Sequence, residues 1–247
     1  MINYSMLVSE YYLLVVGGND GNRFENNLDT VELISTKRHL PDRLKSRRLS
    51  NFPIKMRAAA GATLGDSSLP LICGGDDGSN HRKECYVYHP QSNRWNVSGQ
   101  LSEARAFSGS ATHPDYGLVI VSGRSDDGYI TSAEQTKDGK AFRPFASLPL
   151  PLFAPGLVSL GKGGGKGDFF LTGGKTMDGV YSRKAFIYDK GSWSQMANMA
   201  TARGGNKLAQ FSSAILRAFT SALKGGGGNK PENAVSVIAC SGSPPQQ

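Results

Sequence analysis

The chain has 247 residues, 38% hydrophobic and 19% charged, with 31 glycines, a composition that excludes disorder throughout and fits a turn-rich globular core. The nearest candidate for a membrane span, Tyr11 to Val16, stops at Gly17-Gly18, far short of the roughly 18 to 20 apolar residues a span needs. A formal charge of +8 favours an acidic partner, and three cysteines without a C-x-x-C pair exclude a disulfide scaffold and paired-cysteine zinc or redox chemistry.

No basic region followed by an apolar segment and a small-residue cleavage site opens the chain, so the cytoplasm is the default compartment. The first run of strand-formers, Leu13 to Val16, ends at Gly17-Gly18; an Asp20-Gly21 turn and a strand at Val31 to Ile34 follow. Counting back from Gly18 by the spacing of later copies places the start of this unit before Met1, so its innermost strand is expected to be missing. The basic run Lys37-Arg38-His39 with Arg43, Lys45, Arg47 and Arg48 reads as a solvated loop rather than a nucleic-acid patch.

A second unit starts at Arg57-Ala58-Ala59-Ala60-Gly61, with Leu71 to Gly75, the turn Asp77-Gly78, the strand Cys85 to Tyr88, then Trp95 and Leu101. Cys73 and Cys85 are symmetric about Ser79 and would face each other across a hairpin. The strained geometry of cross-strand disulfides favours two buried free thiols, whereas a bonded pair would place the protein outside the cell. The sequon Asn96-Val97-Ser98 matters only in a secreted protein.

The third unit runs from Arg105-Ala106-Phe107-Ser108-Gly109 through Val119 to Gly123, Asp127-Gly128, Ala133 to Thr136, Phe142 and Leu148. The fourth begins at Phe153-Ala154-Pro155-Gly156 and carries Phe169 to Gly174, Asp178-Gly179, Ala185 to Tyr188, Trp193 and Met199. Between its first two strands, Gly161 to Gly167 fails the spacing of a phosphate-binding loop and reads as a plain loop. A fifth restart at Arg203-Gly204-Gly205 leads into an insertion at about 208–230, where Leu208, Phe211, Ile215, Leu216, Phe219 and Leu223 have helical spacing; a last apolar run spans Val235 to Gly242. The unit starts lie 48, 48 and 50 residues apart, a period that means a repeat architecture.

These co-spaced signals resemble the kelch repeat, a hydrophobic run, a Gly-Gly pair, a spaced Tyr and a Trp. The copy from Leu71 to Trp95 matches nearly throughout and the fourth matches well. The first lacks Tyr and Trp, and the third has Ser122, Thr136 and Phe142 at the Gly, Tyr and Trp positions. The resemblance covers about Tyr11 to Arg203 and implies an all-β, kelch-type β-propeller with four recognisable blades and a partial fifth. The expected single domain has blades at about 1–56, 57–104, 105–152, 153–202 and, in part, 203–247. It also implies a non-catalytic protein-protein interaction module. An adaptor role in ubiquitin ligation would need another chain or domain. The alternatives are an extracellular glycan- or protein-binding propeller and a degenerate relative of the galactose-oxidase-like copper enzymes.

No cofactor or metal is expected. His39, His81, His89 and His113 recur at no equivalent offset, and the Asp-Gly turns offer too few oxygens for calcium. In a four-stranded antiparallel blade the connection between units and the central hairpin emerge on one face. That face would gather Arg57, Arg105 and Arg203 with Arg82, Arg124, Lys175 and Arg183. Guanidinium groups at repeated loop edges suit bidentate capture of carboxylates, so an acidic peptide or protein is the expected partner, with neither nucleic acid nor membrane involved. The competing reading pairs each arginine with a loop aspartate such as Asp20, Asp77 or Asp127 and leaves the rim merely ordered.

Overall fold

The computed structural model describes residues 5–8, 12–20, 26–35, 46–64, 69–160, 167–205, 207–210 and 237–240, and every regular element among them is a strand. The strands β1 (Ser5–Val8), β2 (Tyr12–Val16), β3 (Val31–Ser35) and β4 (Ser46–Arg48) pair in chain order as one antiparallel sheet. The second sheet repeats that order with β5 (Ala60–Leu64), β6 (Leu69–Cys73), β7 (Glu84–His89) and β8 (Arg94–Gln100). In the third, β9 (Gly109–His113) and β10 (Gly117–Val121) are followed by a small ribbon of β11 (Arg124–Ser125) and β12 (Gly128–Tyr129). The sheet is then completed by β13 (Ala133–Thr136) and β14 (Arg143–Phe145). The fourth holds β15 (Gly156–Ser159), β16 (Phe169–Thr172), β17 (Ala185–Asp189) and β18 (Ser192–Gln195), and β19 (Lys207–Gln210) pairs with β20 (Val237–Cys240).

The second strands are rich in apolar residues, and that of the third sheet, β10, is buried on both faces from Leu118 to Val121 because a sheet lies on either side. Leu118 and Ile120 of β10 point toward the second sheet, where they join Leu71, Cys73, Cys85 and Leu101. Val119 and Val121 alternate to the other face and pack on Phe169, Leu171, Phe186 and Tyr188 of the fourth sheet. Between the first and second sheets, Trp95 fills the gap with its ring 4.9 Å from Phe52 and 5.1 Å from Tyr88. Three apolar layers thus alternate with four sheets, and the first strand of each sheet lies beside the first strand of the next.

The glycine pairs work as joints between sheets. Gly18, Gly75, Gly123 and Gly174 each donate a backbone N–H to a carbonyl of the following connection, at Met56, Arg105, Leu152 and Arg203, over 2.8 to 3.0 Å. Gly74 has a φ of 65°, and a Cβ there would collide with the Arg105 carbonyl. The third sheet has Ser122 at the same place, with a φ of 56°. Its Oγ lies 2.7 Å from the Ile130 carbonyl and 2.9 Å from that of Leu152, and accepts the Leu152 N–H at 2.8 Å. Those bonds hold a non-glycine residue in the left-handed region.

The structure corrects three expectations. The innermost strand of the first sheet is present as β1, because only residues 9–11 separate it from β2 and the unit needs less chain than the later copies. Cys73 and Cys85 form a disulfide: they are directly opposed across β6 and β7, with Cα atoms 4.1 Å apart. Leu208 lies in β19 rather than in a helix. The rest of the helical reading, from Phe211 to Leu223, falls outside the described residues, as do His39 and the basic run from Lys37 to Lys45.

Candidate functional site

The connections that lead into β5, β9, β15 and β19 share one backbone device. Ala58, Phe107, Ala154 and Gly205, each two residues before its strand, have φ values of 54°, 55°, 52° and 68°. Phe107 donates its N–H to Ala58 O (3.0 Å), Ala154 to Phe107 O (2.8 Å) and Gly205 to Ala154 O (3.0 Å). This line of hydrogen bonds crosses from sheet to sheet. A cleft of about 420 Å³ is bounded by residues in and just before this line and by the central hairpins of the second to fourth sheets.

One side of the cleft is aromatic. The Phe107 and Phe153 rings stack with centroids 4.3 Å apart, and Tyr129 stacks beyond Phe153 at 5.6 Å. Tyr181, 45% exposed, reaches in from the hairpin of the fourth sheet. The other side is polar. Arg57 donates from Nε and Nη2 to Asp76 Oδ2 (3.1 and 2.8 Å), and its guanidinium sits 5.9 Å from the centre of the Phe107 ring. Asp76 Oδ1 accepts the Gly78 N–H at 2.7 Å, which closes the turn and fixes the carboxylate toward Arg57. His81 joins the second sheet to the third through Asp126, at 2.5 Å from Nδ1 and 3.0 Å from the backbone N–H. The hydrogen bonds from His81 hold the Asp126 carboxyl below its ordinary value.

Of the seven cations expected on this face, three line the cleft: Arg57, Arg124 and Lys175. Arg57 is compensated by Asp76, whereas among the described residues neither Arg124 nor Lys175 has an ion pair. Their backbones are pinned: Arg124 bridges Ala106, and Lys175 bridges both Phe153 and Tyr181. The cleft therefore presents two cations on fixed backbone that no described ion pair ties up, Arg124 with the Asp126 carboxylate within electrostatic range.

The other four do not converge there. Arg105 is 2% exposed and is corrected from a rim residue to an interior one. Its Nη2 bonds Glu134 Oε1 (3.0 Å) and Ser132 Oγ (2.8 Å), and its Nη1 bonds Ser132 O (2.8 Å). Burial pulls the Arg105 guanidinium pKa down, opposed by Glu134 and Glu103. The side chain faces inward because it stands at the register of Met56 and Leu152, which are buried too, and Glu134 meets its charge there. Arg82 is held by Glu84 (3.0 Å) and Asp77 (3.4 Å) in a separate hollow. Arg183 donates to Met199 O (2.7 Å), and Arg203 serves through its backbone, between Ser182 O and Gly174 N–H. The sequence does not show the aromatic wall, because its two rings come from different offsets, Phe107 two residues ahead of β9 and Phe153 three ahead of β15. Among the described residues no three His, Cys, Asp or Glu side chains converge as a metal site.

No family model matches the chain, and no curated protein does. Among solved structures, that of YjhT superposes with a TM-score of 0.67 at 12% sequence identity, over 83% of this chain and 73% of that one. The similarity is one of fold: successive antiparallel sheets in a shared all-β arrangement.

Proposed function

We propose that the chain is a kelch-type β-propeller, with its sheets as blades, and that it acts as a non-catalytic module binding an acidic segment of a protein partner in the cleft between the second, third and fourth sheets. The observation that carries this reading is the pair of cations outside any described ion pair, Arg124 and Lys175, beside the stacked Phe107 and Phe153 rings. Carboxylates suit the cations, and the rings offer apolar contact to the segment that bears them. A protein partner is favoured over a bare anion by the neighbouring surface. Of the five most exposed large apolar side chains among the described residues, Met177, Val180 and Tyr181 all lie on the one hairpin that borders the cleft. Such clustering of exposed apolar area beside fixed charge is characteristic of protein docking sites.

The test is a titration of a fluorescent Glu-rich peptide carrying one aromatic residue. Arg124→Ala with Lys175→Ala should weaken binding by roughly 10-fold or more, since hydrogen bonds to charged groups contribute about 1.5 to 3 kcal/mol each. Arg183→Ala, away from the cleft, should leave it unchanged. Equal affinities for all three proteins would refute the reading.

One observation favours an extracellular version of the same module. A disulfide persists in oxidising compartments and is rare in the cytosol, so the Cys73–Cys85 bond argues for a partner met outside the cytoplasm. Free thiols in the protein isolated from its source would return it to the cytoplasm.

A further inference from the structure

We infer that Asn96 is an acceptor for an N-linked glycan, added as the chain passes through a secretory compartment. The triplet Asn96-Val97-Ser98 has the acceptor pattern, with an apolar residue rather than proline at its centre. Such triplets are unmodified when buried or when the chain stays in the cytosol, and two independent features answer those conditions. The first is position. The triplet lies on β8, the outermost strand of the second sheet, which pairs only with β7. Asn96 is exposed, Val97 is 66% exposed, and among the described residues the Asn96 side chain has no hydrogen-bond partner.

The local backbone is irregular as well. Tyr86 pairs with Val97 and Cys85 with Gly99, so a bulge leaves Ser98 without a cross-strand partner. Asn96 itself pairs with Val87, so the serine of the triplet stands outside the ladder and the acceptor one residue inside the bulge. The second feature is the Cys73–Cys85 disulfide, which calls for the oxidising lumen in which glycans are transferred. The inference rests on that bond and not on the cleft. Asn96 lies three strands outward from β5, at whose entry the cleft begins.

The co-reactant is a lipid-linked oligosaccharide diphosphate. The Asn96 amide nitrogen forms a bond to the anomeric carbon, the bond from that carbon to the phosphate oxygen breaks, and the lipid diphosphate leaves with the electron pair. The amide nitrogen gives up one proton, and nothing is oxidised or reduced. A glycan there would cover Val97 and the free edge of β8. Exposed strand edges invite pairing with other chains, and a bulky polar chain blocks that contact.

The experiment is peptide mapping of the protein isolated from its source, before and after peptide-N-glycosidase in heavy-oxygen water, with the thiol state read on the same sample. Labelled aspartate at position 96 together with oxidised Cys73 and Cys85 is the expected result. Mapping by peptide separates Asn96 from the other acceptor triplet, Asn3-Tyr4-Ser5. In a form secreted from cultured animal cells, Ser98→Ala should lose the glycan and its gel-mobility shift while Ser98→Thr keeps both, which separates acceptor chemistry from misfolding. Unmodified Asn96 in a disulfide-bonded source protein would overturn the inference, and so would free cysteines.

Discussion

Arg105 and Arg57 belong to consecutive connections but stand one residue apart in register: Arg105 holds the place of Met56, whose carbonyl takes a glycine N–H, and Arg57 holds that of Ala106. Arg57 faces the cleft with Asp76, and Arg105 turns inward to Glu134, itself 3% exposed. Removing one member of a buried ion pair strands the other without water or counter-charge. Arg105→Ala should therefore destabilise the fold by about 3 to 5 kcal/mol, read by chemical denaturation. Asp126 makes a gentler case on the surface. His81 lowers its pKa, so the tie between the second and third sheets is complete above the ordinary carboxyl value of 3.8 and is released as pH falls through the lower folded-state value. A carboxyl titration followed by NMR should show Asp126 moving up toward 3.8 in His81→Ala. No movement would mean that His81 is not the cause.

At the scale of the element, the hairpin β6–β7 depends on its covalent tie. The bond between Cys73 and Cys85 closes a loop of sequence separation 12 and lies in the layer between the second and third sheets. Replacing both cysteines with serine should lower stability by about 2 to 3 kcal/mol, with the strand order retained. The four second strands were legible in the sequence from their apolar runs and the four third strands from their spacing after the glycine pairs, as with Ala133 to Thr136. What the sequence did not reveal were interactions set by register and by neighbours. That Cys73 and Cys85 face each other was legible but that they bond was not, and Arg105 turns inward because it stands where the buried Met56 and Leu152 stand, toward Glu134, 29 positions away. Of the cleft, Arg57, Arg124 and Lys175 were legible from their offsets. Phe107 and Phe153 were not, because an aromatic residue at a connection reads as spacing until the connections are seen side by side.

For the molecule as a whole, the line from Ala58 through Phe107 and Ala154 to Gly205 joins successive sheets by main-chain bonds, with the Phe107–Phe153 stack beside it. If the line couples the sheets, the amides of Phe107, Ala154 and Gly205 should exchange with solvent hydrogen far more slowly than loop amides normally do, measured by NMR. Loop-like exchange at all three would mean that each sheet opens on its own. The donors and acceptors of these joints, like those of the glycine pairs, belong to the main chain. Substitution cannot remove a carbonyl, and only at the few positions where a Cβ would collide, such as Gly74, is the residue type constrained. Junctions of this kind leave most side chains free to vary, so a fold built on them can be matched over 83% of this chain by a structure of only 12% identity.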